Sequence, residues 1–212
     1  MMKEILALFD FCETLTNFQT LDRYLPLAGQ HNPNYEHHKN LARREKYQKL
    51  NLSYPRYEWL IDLSLNVAQN VAQNFVYDEV LMNLNQGIMN KLFYHQDAGH
   101  TLVIVSGGLE IYIREFAKIY GIEHVVAVEL EVLNNRLTGH IDGIHTMCER
   151  KLYKLANKLN LEQYDLHNSY AYSDCVSDIP LLSLVGNANV VACGKDLRWA
   201  DILGYRIINA SA

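Results

Sequence analysis

Apolar runs and helical periodicities alternate along most of the chain. Continuous apolar runs predict strands buried on both faces, at 5–9, 101–105, 124–128, 169–172, 190–192 and 206–208. Apolar residues at helical spacing predict helices at 109–120, 148–159 and 179–184. Residues 130–144 are typical of a hairpin, with Asn134 and Asn135 in its turn. Strands separated by helices predict an α/β fold, with a parallel sheet between two helical layers.

Residues 17–84 differ from the rest of the chain because no strand is evident and helical spacing dominates. Helices are predicted at 18–25, 55–67 and 78–92, with a break at 29–33. The stretch 35–52 is polar and basic, which does not suit the core of the main domain. We therefore predict a helical domain at 17–84, inserted between two parts of a core domain at 1–16 and 85–212.

Composition and charge narrow the classes of function. The chain is 49% hydrophobic and 20% charged, which is typical of a globular protein. A net charge of −5 gives no electrostatic reason to expect nucleic acid or an anionic membrane as a partner. The chain has no run of membrane-spanning length and no signal-peptide pattern, and its four cysteines lack metal or disulfide-framework spacing. We therefore expect a cytoplasmic protein, and the oligomeric state stays open.

Acidic residues follow two of the predicted strands. Asp10 comes directly after the first strand, and Asp174 and Asp178 follow the strand at 169–172. Because the carboxyl ends of parallel strands meet at one edge of a sheet, we expect these carboxylates to lie close together. Crowded carboxylates repel one another and favour a hard cation such as Mg²⁺. Taken singly, each has a simpler interpretation as a helix cap or an early-turn charge.

Groups that suit phosphate accompany these carboxylates. Ser106, Gly107 and Gly108 follow the strand at 101–105, where a hydroxyl and backbone amides can hold phosphate oxygens at a helix start. Lys151 near the start of a predicted helix adds a positive charge. Carboxylates, a divalent cation, a glycine turn and a lysine together are the parts of a phosphoryl-transfer site.

Four motifs in this order resemble those of the haloacid dehalogenase superfamily, in its phosphoserine phosphatase-like branch. Residues 9–16 resemble the first motif, Asp-x-Asp-x-Thr, and 105–108 resemble the second. Lys151 matches the third motif and 172–178 the fourth, and 137–143 is similar to the same segment of that branch. The resemblance implies a three-layer Rossmann-like core with a parallel sheet and a small inserted helical cap.

The resemblance also implies roles for individual residues. Asp10 would attack phosphorus and form an aspartyl phosphate, which water would then hydrolyse. Mg²⁺ would be held by the carboxylates of Asp10 and Asp174 and the backbone carbonyl of Cys12, with Asp178 supporting the site. The implied activity is that of a Mg²⁺-dependent phosphatase acting on a small phosphomonoester. The phosphoryl group would be bound by Ser106, Gly107 and Lys151.

Cys12 departs from the pattern, because phosphatases of the family have an aspartate there that protonates the leaving oxygen and later activates water. A thiol with an ordinary pKa of about 8.5 is a weak acid beside carboxylates. Loss of a general acid–base typically costs about 10²–10⁴-fold in rate. A slow phosphatase, an enzyme for easily displaced leaving groups, a phosphotransferase and a non-catalytic phospho-ligand binder all stay open.

Gln19 departs from the pattern as well. In phosphoserine phosphatases a glutamate at this place binds the ammonium group of the substrate, so free phosphoserine is a doubtful substrate here. A neutral amide suits a phosphorylated polyol, sugar or amino-alcohol derivative, including nucleotide-linked ones. The basic residues Arg43, Arg44 and Arg56 offer charge for a second acidic group, although a solvated helix face is the simpler interpretation.

Overall fold

The computed structural model describes residues 3–35, 49 and 56–210. Its centre is a six-stranded sheet in the order β3-β2-β1-β6-β7-β8, and every pairing in it is parallel. A separate antiparallel hairpin is formed by β4 and β5. The strands are β1 (Leu6–Phe9), β2 (Thr101–Leu109), β3 (His124–Val128), β4 (Leu130–Leu133), β5 (Arg136–Ile141), β6 (Tyr170–Ser173), β7 (Asn187–Ala192) and β8 (Arg206–Asn209). The predicted α/β class and parallel sheet are confirmed.

Helices cover both faces of the sheet. In the described ranges the helices are α1 (Thr20–Gln30), α2 (Leu65–Phe75), α3 (Gln86–Asp97), α4 (Glu110–Ile119), α5 (Arg150–Lys158), α6 (Ile179–Leu182) and α7 (Arg198–Ile202). Across the described ranges, no helix combines the length and the apolar character that crossing a membrane requires.

The central strand β1 shows why its sequence is continuously apolar. Ala7 and Phe9 belong to the apolar cluster that includes helix α4, whereas Leu6 and Leu8 belong to the cluster that includes helix α5. All four side chains are at most 1% exposed. Because successive side chains of a strand point to opposite faces, burial on both faces demands apolar residues at every position.

Aromatic side chains join helices α1 and α2 to helix α4. The ring of Tyr24 lies 5.0 Å from that of Tyr112, and the ring of Phe75 lies 5.5 Å from it. The hydroxyl of Tyr24 donates a hydrogen bond of 3.1 Å to the carbonyl of Ala68 on helix α2. This cluster ties helices α1, α2 and α4 together. The division into a core at 1–16 and 85–212 and a cap at 17–84 stays a prediction.

The predicted helix over 55–67 is wrong as one continuous helix. A single 3₁₀ turn covers Glu58–Leu60, and helix α2 begins only at Leu65. Between them Asp62 has a φ of 63°, a left-handed conformation that interrupts a right-handed helix. Residues 36–48 and 50–55, which include Pro55, Arg43 and Arg44, lie outside the described part of the chain.

The predicted helix over 78–92 is also broken, and helix α3 begins only at Gln86. Leu84 is extended and pairs with Thr16 as an isolated β-bridge. The side-chain amide of Asn85 donates hydrogen bonds to the carbonyls of Thr14 and Thr16, at 2.8 and 2.9 Å. These tertiary contacts hold the backbone extended, although the apolar spacing through this segment is helical.

Strand β2 is longer than the apolar run at 101–105 predicts. The extended backbone continues through the glycine pair to Leu109, which pairs with Val128 of strand β3. The pairing register shifts between Val105 and Leu109. The loop that carries Ser106 is therefore held against the neighbouring strand.

The chain turns sharply at Phe11–Leu15, directly after strand β1. Cys12 and Glu13 leave helical geometry within this turn, and Glu13 has a φ of 56°. This conformation is uncommon for a glutamate and has to be held by its surroundings. One such contact is the backbone N–H of Thr16, which donates to the carbonyl of Phe11 at 3.0 Å.

A buried histidine lies behind the end of strand β1. His95 is 0% exposed, and its Nε2 lies 2.9 Å from the hydroxyl of Tyr172. Its Nδ1 lies 2.8 Å from Nδ1 of His100. Burial, followed by the charges of His100 and Lys91, lowers the pKa of His95 from 6.5 to about 4.

Replacement of His95 by Gln is expected to flatten the pH dependence of stability between pH 4 and 6.5. In this range the unfolded wild type binds a proton at His95 and the folded protein does not, so the free energy of unfolding falls as the pH falls. The difference between the pKa values of His95 in the unfolded and folded protein corresponds to about 3 kcal/mol in the free energy of unfolding. Urea unfolding over the range measures it, with His167→Gln at an exposed site as the control. Equal slopes in wild type and His95→Gln would contradict the prediction.

Candidate active site

A cleft of about 270 Å³ lies at the carboxyl end of the central strands. Asp10 follows β1, Ser106 lies in the last part of β2, and Asp174 follows β6. The parallel order of these strands brings the three residues to one edge of the sheet. All eight residues singled out from the sequence line this cleft: Asp10, Cys12, Gln19, Ser106, Gly107, Lys151, Asp174 and Asp178.

Lys151 bridges two carboxylates inside the cleft. Its Nζ donates to Oδ1 of Asp10 at 2.8 Å and to Oδ2 of Asp178 at 2.6 Å. The three residues are 3%, 6% and 1% exposed, respectively. Charges this deeply buried are tolerated only when they are paired and hydrogen-bonded. The pairing raises the pKa of Lys151 well above its usual range, although burial opposes this.

Asp178 lies at the end of the 3₁₀ turn Val176–Asp178. Its Oδ2 also accepts a hydrogen bond of 2.6 Å from the hydroxyl of Ser173. Its Oδ1 is buried and has no hydrogen-bond partner among the residues that the structure describes. An unpaired carboxylate oxygen in the interior is costly, so this atom marks a place where a donor or a hydrated cation would be stabilised.

Burial raises the pKa of Asp10 from 3.8 to about 7. The Lys151 ammonium lowers it, and repulsion by the carboxylates of Asp178 and Asp174 raises it again. One lysine therefore does not offset the desolvation and the crowding of negative charge around Asp10. A further cation in the cleft would favour the ionised, nucleophilic form of this carboxylate.

Asp174 is 2% exposed and is held through both of its oxygens. Its Oδ1 accepts from the hydroxyl of Thr14 at 3.1 Å, and its backbone N–H donates to the same hydroxyl oxygen at 3.1 Å. Its Oδ2 accepts from Nζ of Lys195 at 2.5 Å and from the thiol of Cys193 at 3.6 Å. Thr14 therefore fixes the turn after strand β1 to the end of strand β6.

Gly108 has no room for a larger residue beside the buried Tyr112, whereas a larger residue at Gly107 would displace the side chain of Met147. A Cβ on Gly107 would lie 2.7 Å from Sδ of Met147, and one on Gly108 would lie 2.5 Å from the hydroxyl of Tyr112. The backbone N–H of Gly108 donates to Oγ of Ser106 at 3.0 Å. Close packing around both glycines keeps the backbone of Gly107 and the buried Ser106 hydroxyl beside the cleft.

The thiol of Cys12 begins a series of polar contacts that continues through the hydroxyls of Thr20 and Tyr112. Its Sγ lies 2.9 Å from Oγ1 of Thr20, which lies 3.0 Å from the hydroxyl of Tyr112. That hydroxyl also accepts from the backbone N–H of Leu109 at 3.1 Å. Burial, and then the charge of Asp10, raise the pKa of the Cys12 thiol to about 11. The thiol is therefore protonated at neutral pH.

Gln19 is exposed at the mouth of the cleft and donates a short hydrogen bond to Oε2 of Glu13. The same oxygen accepts from Nζ of Lys195 at 2.5 Å. Sequence reasoning missed Lys195, which follows strand β7 at the sheet edge where the other site residues lie. The sequence feature that could have identified Lys195 is its position shortly after a predicted strand.

The oxygen donors of the cleft suit a hard cation such as Mg²⁺. Asp10 and Asp174 are buried, neighbouring carboxylates, and Oδ1 of Asp178 is unpaired within the described part of the chain. Within residues 3–35, 49 and 56–210, no three His, Cys, Asp or Glu side chains form a metal-binding group. The predicted metal residues are Asp10, Asp174 and Asp178 with the backbone carbonyl of Cys12, and the three aspartate side chains are not arranged as one such group.

A larger cavity of about 490 Å³ lies elsewhere, between helix α4 and the hairpin. Its charged rim is largely neutralised by ion pairs such as Lys118 with Glu115, at 2.6 Å. It contains none of the eight residues, and we assign the chemistry to the smaller cleft.

Replacement of Lys151 by Met is expected to lower the free energy of unfolding by about 3–5 kcal/mol near pH 8. The change leaves two buried carboxylates unpaired and close together. The loss should shrink towards pH 5, because protonation of Asp10 removes the repulsion. Denaturant unfolding at the two pH values measures this. Lys154→Met, which removes an ammonium that contacts Glu129 at 3.4 Å, is the control. A loss independent of pH would contradict the electrostatic account.

Comparisons with known proteins agree with this geometry. The family model described as haloacid dehalogenase-like hydrolase matches residues 7–183. A probable phosphatase of Mycobacterium tuberculosis is 30% identical over 118 residues, which cover 55% of this chain and 41% of that protein. The chain thus matches less than half the length of this relative.

Two further proteins are similar over nearly the whole chain. A phosphoserine phosphatase of Methanocaldococcus jannaschii is 25% identical over 199 residues, covering 92% of this chain and 88% of that protein. A crystal structure of a protein of unknown function from Bordetella pertussis has a TM-score of 0.77 at 23% identity, and the match covers 99% of this chain and 100% of that one. The family model extends over most of the chain and includes all four motifs. The chain belongs to the haloacid dehalogenase-like hydrolase family.

Proposed function

We propose that the protein is a Mg²⁺-dependent phosphatase that hydrolyses a small phosphomonoester through an aspartyl phosphate on Asp10. The observation that carries this proposal is the buried bridge from Lys151 to Asp10 and Asp178 beside the Ser106 loop. Burying three charges is expensive, and a purely structural role does not require them in an open cleft. The relatives named phosphatases support the same reaction class.

Asp10 is the nucleophile in this proposal. Lys151 holds Oδ1 at 2.8 Å, which leaves Oδ2 as the oxygen that attacks phosphorus. The new bond joins Oδ2 to phosphorus, and the bond from phosphorus to the leaving oxygen breaks. Attack by water on the aspartyl phosphate then releases inorganic phosphate and restores the carboxylate.

Lys151, Ser106 and the backbone amide of Gly107 bind the phosphoryl group and oppose its negative charge. Asp10 and Asp174, with the carbonyl of Cys12 and the support of Asp178, would hold Mg²⁺. When bound, Mg²⁺ supplies charge stabilisation for the phosphoryl oxygens. This arrangement uses the three aspartates among the described residues that line the cleft.

Cys12 is the one group of the site that suits its role poorly. With a pKa of about 11, the thiol is protonated at neutral pH and has a proton to give to the leaving oxygen. Efficient general acids have a pKa near the working pH, so this transfer is slow. We therefore assign the enzyme slow turnover, or a substrate whose leaving group needs little protonation.

The residues that line the cleft also favour certain classes of substrate. Gln19, Leu21 and Arg56 line it and all come from the predicted cap at 17–84, which supports the proposed division into core and cap. A neutral amide replaces the carboxylate that an ammonium group would need. We propose a phosphorylated polyol, sugar or amino-alcohol derivative as substrate, with Arg56 available for a second acidic group, as in a nucleotide-linked compound.

A second candidate function rests on Cys12 alone. Without an efficient acid–base group, the same cleft would bind a phosphorylated ligand and not turn it over.

Phosphotransfer to an acceptor other than water is a separate alternative that needs the same nucleophile, Asp10. Partitioning of labelled phosphate between water and added alcohols separates that reaction from hydrolysis.

A phosphate-release screen tests the hydrolase proposal. Over a panel of phosphorylated polyols, sugars, amino alcohols and nucleotide-linked compounds, we expect release with Mg²⁺ and none with a chelator. Asp10→Asn should reduce the rate by at least about 10³-fold, because it removes the nucleophile. Metal-dependent ligand binding without release in the wild type would favour the non-catalytic alternative.

Replacement of Cys12 by Asp is expected to raise kcat about tenfold or more, because a carboxyl group protonates the leaving oxygen more readily than this thiol. Steady-state kinetics on the best substrate of the screen measure the change. Cys193→Asp, which places a carboxylate near Asp174 outside the proton-transfer position, is the matched control. No phosphatase activity in either wild type or Cys12→Asp with Mg²⁺ would overturn the proposed function.

A further inference from the structure

Lys195 holds two carboxylates at the mouth of the cleft. Its Nζ lies 2.5 Å from Oδ2 of Asp174 and 2.5 Å from Oε2 of Glu13. Its side chain is 39% exposed, that of Glu13 is 21% exposed and that of Asp174 is 2% exposed. The lysine thus extends from the surface to a buried carboxylate that the proposed function assigns to Mg²⁺.

The ion pair between Asp174 and Lys195 opposes the binding of a divalent cation to the same carboxylate. Its Oδ1 accepts from the Thr14 hydroxyl at 3.1 Å, so Oδ2 is the oxygen that already bears a cationic partner. Mg²⁺ binds carboxylate oxygens at about 2.0–2.1 Å. A cation at that distance from Oδ2 would lie close to the ammonium group, and the two positive charges repel each other.

Glu13 is a second carboxylate partner for Lys195. A lysine side chain is long and rotates freely, so Nζ can leave Asp174 without leaving Glu13. Glu13 has a left-handed backbone conformation within the turn, and its side chain also accepts a hydrogen bond from Gln19. The Glu13 contact is more exposed than the Asp174 contact and suits a resting position at the rim.

We propose that Lys195 is a positioning residue that competes with Mg²⁺ for Asp174 and remains on Glu13 when the cation binds. The inference rests on the proposed function, because it takes Asp174 as a ligand of the cation. Lys195 thereby weakens binding of Mg²⁺ to the free protein, and Glu13 partly restores it by drawing the ammonium away.

Titration calorimetry of Mg²⁺ into the substrate-free protein tests the competition. We expect Lys195→Met to bind Mg²⁺ about three- to tenfold more tightly than the wild type, the range for loss of one partly exposed ion pair. Lys158→Met is the matched control, since Lys158 also bridges two carboxylates, Glu110 and Glu129, at 3.4 and 3.3 Å. It is 33% exposed and should leave the affinity unchanged within about twofold.

A double-mutant cycle separates direct competition from the general effect of charge. Glu13→Gln should weaken Mg²⁺ binding about threefold or more, because Lys195 then has only Asp174 as partner. In the Lys195→Met background the same change should cost less than about twofold. Equal effects of Glu13→Gln in the two backgrounds would show that charge alone acts, and would overturn the competition.

Unchanged or weaker Mg²⁺ binding by folded Lys195→Met overturns the inference and leaves the proposed function standing, provided that the wild type binds Mg²⁺ and releases phosphate. Failure of the wild type to bind Mg²⁺ contradicts both. Thermal unfolding of each variant without metal verifies that it is folded. The readout is an affinity for the metal alone, which does not depend on turnover.

Discussion

The buried bridge from Lys151 to Asp10 and Asp178 is the interaction on which the site depends. It joins the end of strand β1, the start of helix α5 and the turn after strand β6, which lie far apart in the sequence. Removal of Lys151 leaves two carboxylates unpaired in a low-dielectric interior. The bridge therefore constrains the relative placement of three elements to within hydrogen-bonding distance.

The rest of the cleft follows from the balance of charge around that bridge. Among the described cleft residues and their direct partners, four carboxylates (Asp10, Glu13, Asp174 and Asp178) are accompanied by two lysines and Arg56. The carboxylates are the more deeply buried set, so the interior of the cleft is short of positive charge. A hard divalent cation would supply it, and a phosphoryl group would then meet a neutral or positive surface.

The layer behind the site is aromatic and closely packed. Phe9 and Tyr172 stack with ring centroids 4.7 Å apart, directly before Asp10 and Ser173, and His95 bonds to the hydroxyl of Tyr172. The strand ends that carry the carboxylates therefore stand on a closely packed base. Gln19, Leu21 and Arg56, which belong to the predicted cap, line the same cleft as Cys12.

The sequence by itself indicated the strands and the parallel sheet, because burial on both faces is a local property of the chain, and its resemblance to the family motifs supplied eight candidate residues that line the cleft. It did not determine the break at Leu84, where pairing with Thr16 overrides helical spacing. It also did not determine the Lys195 contacts with Asp174 and Glu13, or the chain from Cys12 through Thr20 to Tyr112. Only the tertiary structure decides these, because contacts between distant residues depend on strand order and on how helices pack against the sheet.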